Sequence, residues 1–221
     1  MQDLEVEIQP EETCRQVWVW PRDGEFDESR KGFELAKRTV DIVVSALALV
    51  LGFPFLAIVA FLVRWSSPGP ALFWSVRYGK YNIPFRMPKF RTMHVDAPEV
   101  PTVALESPEF YLTSIGSFLR KTSLDELPQM WSVLVGHMSL IGPRPVICAE
   151  TELAEMRADA GIDQLTPGLT GWAQINGRDC VTIEEKVRLD KHYLENRSIQ
   201  LDHQIIVETI SRVLSREGIV H

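Results

Sequence analysis

From Ile42 to Val63 the chain runs 22 positions without a charged side chain. No other stretch restricts the fold as much. A helix of that length covers roughly 30 Å, enough for the hydrocarbon core of a bilayer. A buried helix of a soluble protein is the competing reading, and the charges that edge the run weigh against it. Basic residues lie on both sides: Lys31, Lys37 and Arg38 before, Arg64, Arg77 and Lys80 after. The positive-inside rule then sends both ends to the cytoplasmic face, which a single straight span cannot satisfy. Gly52-Phe53-Pro54 sits at the centre, and a mid-helix proline removes one backbone hydrogen bond and bends the axis. The expectation is a re-entrant helix, broken at Pro54, that enters and leaves by one face. Phe61, Trp65 and Trp74 suit the headgroup level.

The net charge of −7 is unevenly spread. Residues 1–30 hold nine acidic and three basic side chains, so the body of the chain is close to neutral. An acidic head on a neutral body lacks the basic face that nucleic acid requires. Three widely spaced cysteines, Cys14, Cys148 and Cys180, argue for a reducing compartment and against zinc or a disulfide framework. The head has no basic n-region or terminal apolar run, so it does not read as a signal peptide.

Ser66-Ser67-Pro68-Gly69-Pro70 is a turn that ends the apolar segment. A hairpin follows, Ala71–Val76 and Phe85–Arg91, turning near Lys80-Tyr81-Asn82. Its second run places Phe85, Met87 and Lys89 on one side, and Pro88 demotes it to an edge strand or bulge. Helices are expected over Phe110–Lys121, from about Asp125 to Gly136, and over Thr151–Ala160, Glu184–Leu194 and Asp202–Ser215. The last carries Ile205, Ile206, Ile210, Val213 and Leu214 on one face. Residues 166–178 read as a glycine-rich loop in which backbone approaches something closely.

Asp125 and Glu126 stand at the start of the second of these helices. Leu127, Met130, Trp131, Leu134 and Val135 give that helix an expected buried stripe, and Pro128 suits its first turn. The helix dipole favours both carboxylates in their ionised form. Ser123 and Glu126 also match a capping box, and from these residues alone capping is the stronger reading. Pro143-Arg144-Pro145 fixes the backbone around an arginine whose planar fork suits a diphosphate, although a plain turn explains it equally well locally.

Taken together, these blocks tip the balance. Lys37-Arg38…Asp41, the Pro54-broken helix, Ser67-Pro68-Gly69-Pro70 and Lys89-Phe90-Arg91-Thr92-Met93 come in order. Leu119–Gln129, Met138–Pro145, Pro167–Arg178 and Leu189-Asp190…Tyr193 follow. In this the chain resembles the monotopic phosphoglycosyl transferases, the bacterial sugar transferase family that starts lipid-linked glycan assembly, over about residues 34–216. The resemblance implies an α/β, mainly helical fold. An acidic extension (1–33) and a re-entrant membrane helix (34–66) would precede a small cytoplasmic domain (67–221) with a short hairpin and amphipathic interfacial helices. It also implies transfer of a sugar-1-phosphate from a UDP-sugar to undecaprenyl phosphate, with UMP released, at the cytoplasmic face of the bacterial inner membrane. By match, Asp125 is the nucleophile that carries a covalent phosphosugar, and Glu126 holds Mg²⁺ with Asp125 beside it. Lys89, Arg120 and Arg144 are the phosphate-binding cations, with Arg178 as a further candidate.

Membrane lipid is then a partner, both termini are cytoplasmic, and a homodimer is left open. Phe53, Pro88, Ser132 and His137 depart from residues common in the family, none at a proposed catalytic position. The sequence names neither the sugar nor the role of the acidic head. A catalytically silent scaffold of glycan biosynthesis is the rival reading; the retained Lys89, Arg120, Asp125, Glu126 and Arg144 speak against it. A soluble nucleotide-sugar transferase is disfavoured by the apolar run and by the lack of a DxD motif with a Rossmann-like strand pattern.

Overall fold

The computed structural model describes residues 31–98, 107–177 and 181–215. Helix α1, Lys31–Ser66, contains the whole apolar run and Pro54 in one element of 36 residues, about 54 Å along its axis. Among the described residues it is the one helix long and apolar enough to cross a membrane. Its middle is bare: Val50, Leu51 and Phe53 are 71, 76 and 68% exposed. Both of its ends are docked. Near the start, Lys37 pairs with Asp202 at 3.0 Å, Arg197 with Glu34 at 2.6 Å, and the Leu140 N–H donates to Asp41 at 3.0 Å. Near the end, Val59 and Val63 pack with Phe90 and Leu119. Buried Arg91 then clasps the turn that follows, donating to the Ser67 and Pro68 carbonyls.

Strands β1 (Leu72–Tyr78) and β2 (Pro84–Phe90) form the expected antiparallel hairpin, in register from Leu72↔Phe90 to Tyr78↔Pro84. Its tight turn puts Tyr81 and Asn82 at positive φ. The sheet order is β2-β1-β4, with β4 at Val146–Ile147, so Pro88 lies on an edge strand, where its missing N–H is tolerated. Phe85 and Met87 pack with Val133 and Met138.

The helix expected over Phe110–Lys121 is two pieces, a 3₁₀ turn at Pro108–Tyr111 and α2 at Gly116–Lys121. A tertiary bond explains the break: the Thr113 N–H donates to the Thr92 carbonyl at 2.9 Å, beyond the end of β2. The motif stretch is a 3₁₀ turn, Leu124–Gln129, running into α3, Met130–Val135, which ends on Gly136 at φ +96°. Its buried side is not the expected stripe. Gln129, Ser132 and Val133 face inward, whereas Trp131 and Val135 are 52 and 43% exposed. Val133 packs with Phe85, Met87 and Met138, so the protein-facing side is set by tertiary partners rather than by the longest apolar row.

The stretch read as a loop over 166–178 contains strand β5 (Gly168–Thr170) and helix α5 (Trp172–Asn176). Strand β5 runs parallel to β3 (Ser139–Ile141), joined on by bonds from the Gly142 N–H to Thr170 and the Gly168 N–H to Pro143, both 2.8 Å. The close backbone approach is real, and its partner is the chain itself: a Cβ on Gly168 would lie 2.1 Å from the Gly142 nitrogen. Helices α4 (Thr151–Asp159), α6 (Ile183–Asn196) and α7 (Ile199–Ser215) complete a mostly helical fold with two small sheets. On α7, Ile205 is buried, while Ile206 and Ile210 are turned outward. Cys148 is buried and disulfide-bonded, against the expectation from an odd cysteine count.

Candidate active site

After α2 the chain turns sharply. Ser123 takes φ +55°, a left-handed conformation that redirects it into the 3₁₀ turn carrying Asp125 and Glu126. A helix N-cap needs an extended backbone, so this serine caps nothing with its side chain. The expected capping box is therefore absent. The Glu126 carboxylate is engaged across the fold instead: its Oε1 accepts from Lys89 Nζ at 3.1 Å and from Arg144 Nη2 at 2.8 Å. Lys89 is presented by β2 and Arg144 by the segment between its two prolines, so three distant pieces of chain meet at one oxygen.

The two adjacent carboxyls are shifted in opposite directions. Burial pushes the Asp125 carboxyl up, the Glu126 charge adds to this, and Lys89, Arg120 and Arg144 only partly offset the two, leaving it at about 6. Burial also works to raise Glu126, but Arg144 and Lys89 overcome it and hold that carboxyl well below the usual range. Such divergence between neighbouring titratable groups is typical of chemistry rather than scaffolding. A helix dipole would favour both charges alike, and burial disfavours both; the direct contacts of Glu126 with Arg144 and Lys89 separate them. Asp125 is thus a buried, poorly solvated carboxylate beside a permanently charged one.

Lys89 is itself pushed down by burial and drawn up by Glu126. Arg120 donates from Nε to Thr92 Oγ1 at 3.0 Å, and its guanidinium is pushed down by burial against the pull of Asp125. The structure thus brings together Asp125, Glu126, Lys89, Arg120 and Arg144; Arg178 lies outside the described residues. Two further arginines adjoin the site. Arg77 donates from Nε to Ser75 Oγ at 2.9 Å and from Nη1 to the Pro145 carbonyl at 3.3 Å. Burial first, then Arg144, lowers Arg77 to about 10. In the sequence Arg77 counts only as a basic flank, although hairpin parity places it on the face of Lys89. Arg157 of α4 donates to the Arg144 carbonyl at 2.7 Å, a link no local pattern announces.

Among the described residues no group of three or more His, Cys, Asp or Glu side chains is placed to hold a metal. Mg²⁺ does not need one, since it commonly takes one or two carboxylates, completing its shell with water and substrate phosphate. The Asp125–Glu126 pair fits that donor set. Both cationic contacts of Glu126 fall on Oε1, and a divalent ion would relieve the like-charge repulsion at Asp125.

The family described as bacterial sugar transferase matches residues 33–216. A UDP-glucose:undecaprenyl-phosphate glucose-1-phosphate transferase of Escherichia coli K12 is 40% identical over 184 residues, covering 80% of this chain and 39% of that protein. A UDP-galactose-lipid carrier transferase of Erwinia amylovora is 39% identical over 200 residues, covering 82% of this chain and 41% of the relative. The chain thus spans about two fifths of these longer relatives. An exopolysaccharide production protein, ExoY, of Sinorhizobium fredii is nearer in length, 36% identical over 199 residues with 83 and 88% of the two chains covered.

Proposed function

The chain belongs to the bacterial sugar transferase family, and on that premise we propose that it moves a sugar-1-phosphate from a UDP-sugar to undecaprenyl phosphate. The observation that carries the reading is the placement of buried Asp125 against a Glu126 bracketed by Lys89 and Arg144. Relatives named for glucose-1-phosphate transfer to undecaprenyl phosphate support the substrate classes.

In this proposal an Asp125 carboxylate oxygen attacks the sugar-bearing phosphorus. The bond from that phosphorus to the oxygen bridging the two phosphates breaks, and UMP leaves with the electron pair. A phosphate oxygen of undecaprenyl phosphate then attacks the same phosphorus and returns Asp125 as a carboxylate. Poor solvation leaves Asp125 a ready nucleophile, and its pKa near 6 keeps it largely ionised at neutral pH. Lys89, Arg120 and Arg144 face the negative charge of the diphosphate, the electrostatic contribution on which phosphoryl transfer chiefly depends. Glu126 and Asp125 would hold Mg²⁺, which neutralises phosphate charge when bound.

The same proposal seats the protein on the cytoplasmic face of the inner membrane through a re-entrant α1. In support, both ends of that helix dock on one domain while its apolar middle is exposed. Purified protein given UDP-sugar and Mg²⁺, without lipid, is expected to release about one equivalent of UMP and retain a phosphosugar on Asp125. Normal turnover by Asp125→Asn would refute the nucleophile.

A further inference from the structure

Arg144 lies in neither helix nor strand. Its neighbours Pro143 and Pro145 have no N–H to anchor the segment, which puts weight on the carbonyls. All three consecutive carbonyls are taken, each by a donor from a different part of the chain. Pro143 accepts from the Gly168 N–H at 2.8 Å, Arg144 from Arg157 Nη1 at 2.7 Å and Pro145 from Arg77 Nη1 at 3.3 Å. Two of the three donors are guanidinium groups, and hydrogen bonds to charged donors are the stronger kind.

Arg157 is the better anchored of the two. It is 8% exposed, and its Nη2 pairs at 2.5 Å with Asp190 Oδ2, which is 1% exposed. Asp190 belongs to α6, so the pair fastens α4 to α6 and reaches the segment from behind. A buried ion pair adds little net stability over an apolar replacement of the same shape, because desolvation cancels most of the attraction. What it does supply here is a fixed donor under the one residue whose fork meets Glu126.

We propose that Arg157, anchored by Asp190, is a positioning residue that aims Arg144 by holding its backbone carbonyl. Arg157 does not touch substrate; it acts through Arg144. The inference rests on the reading above that Arg144 binds the donor's diphosphate.

The test uses the full chain in detergent or nanodiscs, with UMP release measured against UDP-sugar concentration and thermal unfolding in parallel. Arg157 is the residue to change, because Arg77 lies close enough to feel the charge of Arg144 and Glu126 directly. Arg157→Met is expected to raise KM for the UDP-sugar about tenfold and to leave kcat within about twofold, as loss of aim at a binding group should. In an Arg144→Met background the same change is expected to add less than about twofold, the signature of two residues acting as one. A full, multiplicative effect in that background overturns the clamp, as does an Arg157→Met enzyme with unchanged KM. An Arg144→Met enzyme that binds UDP-sugar normally overturns instead the diphosphate reading beneath it. If Arg157→Met does not fold, Asp190→Asn loosens the anchor while keeping its volume. It must give a smaller KM rise that likewise vanishes with Arg144→Met; additivity there overturns the proposal too.

Discussion

Arg38 Nη2 donates to the Leu134 carbonyl at 2.8 Å, while Nη1 takes the Val133 carbonyl at 2.7 Å. The last carbonyls of a helix have no partner within it, and here the apolar helix supplies one to the motif helix. The membrane-type segment and the carboxylate pair are therefore mechanically joined. Arg38→Met is expected to cost about 1.5–3 kcal/mol, the range for a hydrogen bond from a charged donor, read as a lower midpoint of thermal unfolding. Arg38→Lys should recover only part of it, since one ammonium cannot match a fork that spans two carbonyls.

Asp125→Asn is expected to abolish UMP release and yet stabilise the protein. The native Asp125 carboxyl is raised to about 6 from 3.8, so the folded chain holds this proton more tightly than the unfolded one. Stability is therefore lost as pH rises through that window, and the ionised side chain remains a burden above it. The gain from Asn at neutral pH is on the order of 1–3 kcal/mol, each tenfold difference in proton affinity between the two states being worth about 1.4 kcal/mol. Chemical denaturation of both proteins at two pH values measures it, and a destabilised Asn variant would contradict the assignment.

Activity should follow the same group. If the carboxylate form is the nucleophile, kcat/KM for UMP release falls about tenfold per pH unit below the Asp125 pKa, which is about 6 without metal and lower with Mg²⁺ beside it, and levels off above it. An activity that rises on acidification would remove Asp125 from that role.

Glu126→Gln takes away the shared partner of Lys89 and Arg144. Breaking one side of a buried pair costs about 3–5 kcal/mol, and with Arg144 half-exposed about 1–3 kcal/mol is expected here, alongside loss of turnover. Chelation of divalent ions should stop UMP release by the wild-type protein and added Mg²⁺ should restore it; undiminished release in chelator would dispose of the metal.

Topology is open to direct labelling. Single cysteines at Leu35 and Ala71, in a chain whose own cysteines are replaced, are expected to react with an impermeant maleimide from the same side of sealed vesicles. Reaction from opposite sides would mean that α1 crosses.

The hairpin was legible because its alternation is local: the parity of Phe85, Met87 and Lys89 survives intact in the register with β1. The Gly136 stop was legible for the same reason, as a residue that alone takes positive φ without strain at a helix end. What could not be read depended on distant partners. Period 3.6 marks an apolar row on α3 but not which side Phe85 and Met87 will occupy, so Trp131 and Val135 point outward. Ser123 looked like a cap because its left-handed turn is set by the packing of α2 against the motif. The motifs singled out Asp125, Glu126, Lys89, Arg120 and Arg144, and the fold gathers those five in one place. Arg157 went unseen, since nothing in the chain between them reveals that its guanidinium returns to the Arg144 carbonyl.

The backbone contact between Gly142 and Gly168 has an architectural consequence. It brings the two feet of the excursion from Pro143 to Pro167 together, so everything between them hangs from a closed base. The stretch is nonetheless woven into the fold above that base: Val146 and Ile147 pair with β1, and Leu153, Ala154, Ile162 and Leu165 are core. Any replacement would have to bring one guanidinium to where Arg144 meets Glu126 and a second to where Arg157 holds the Arg144 carbonyl.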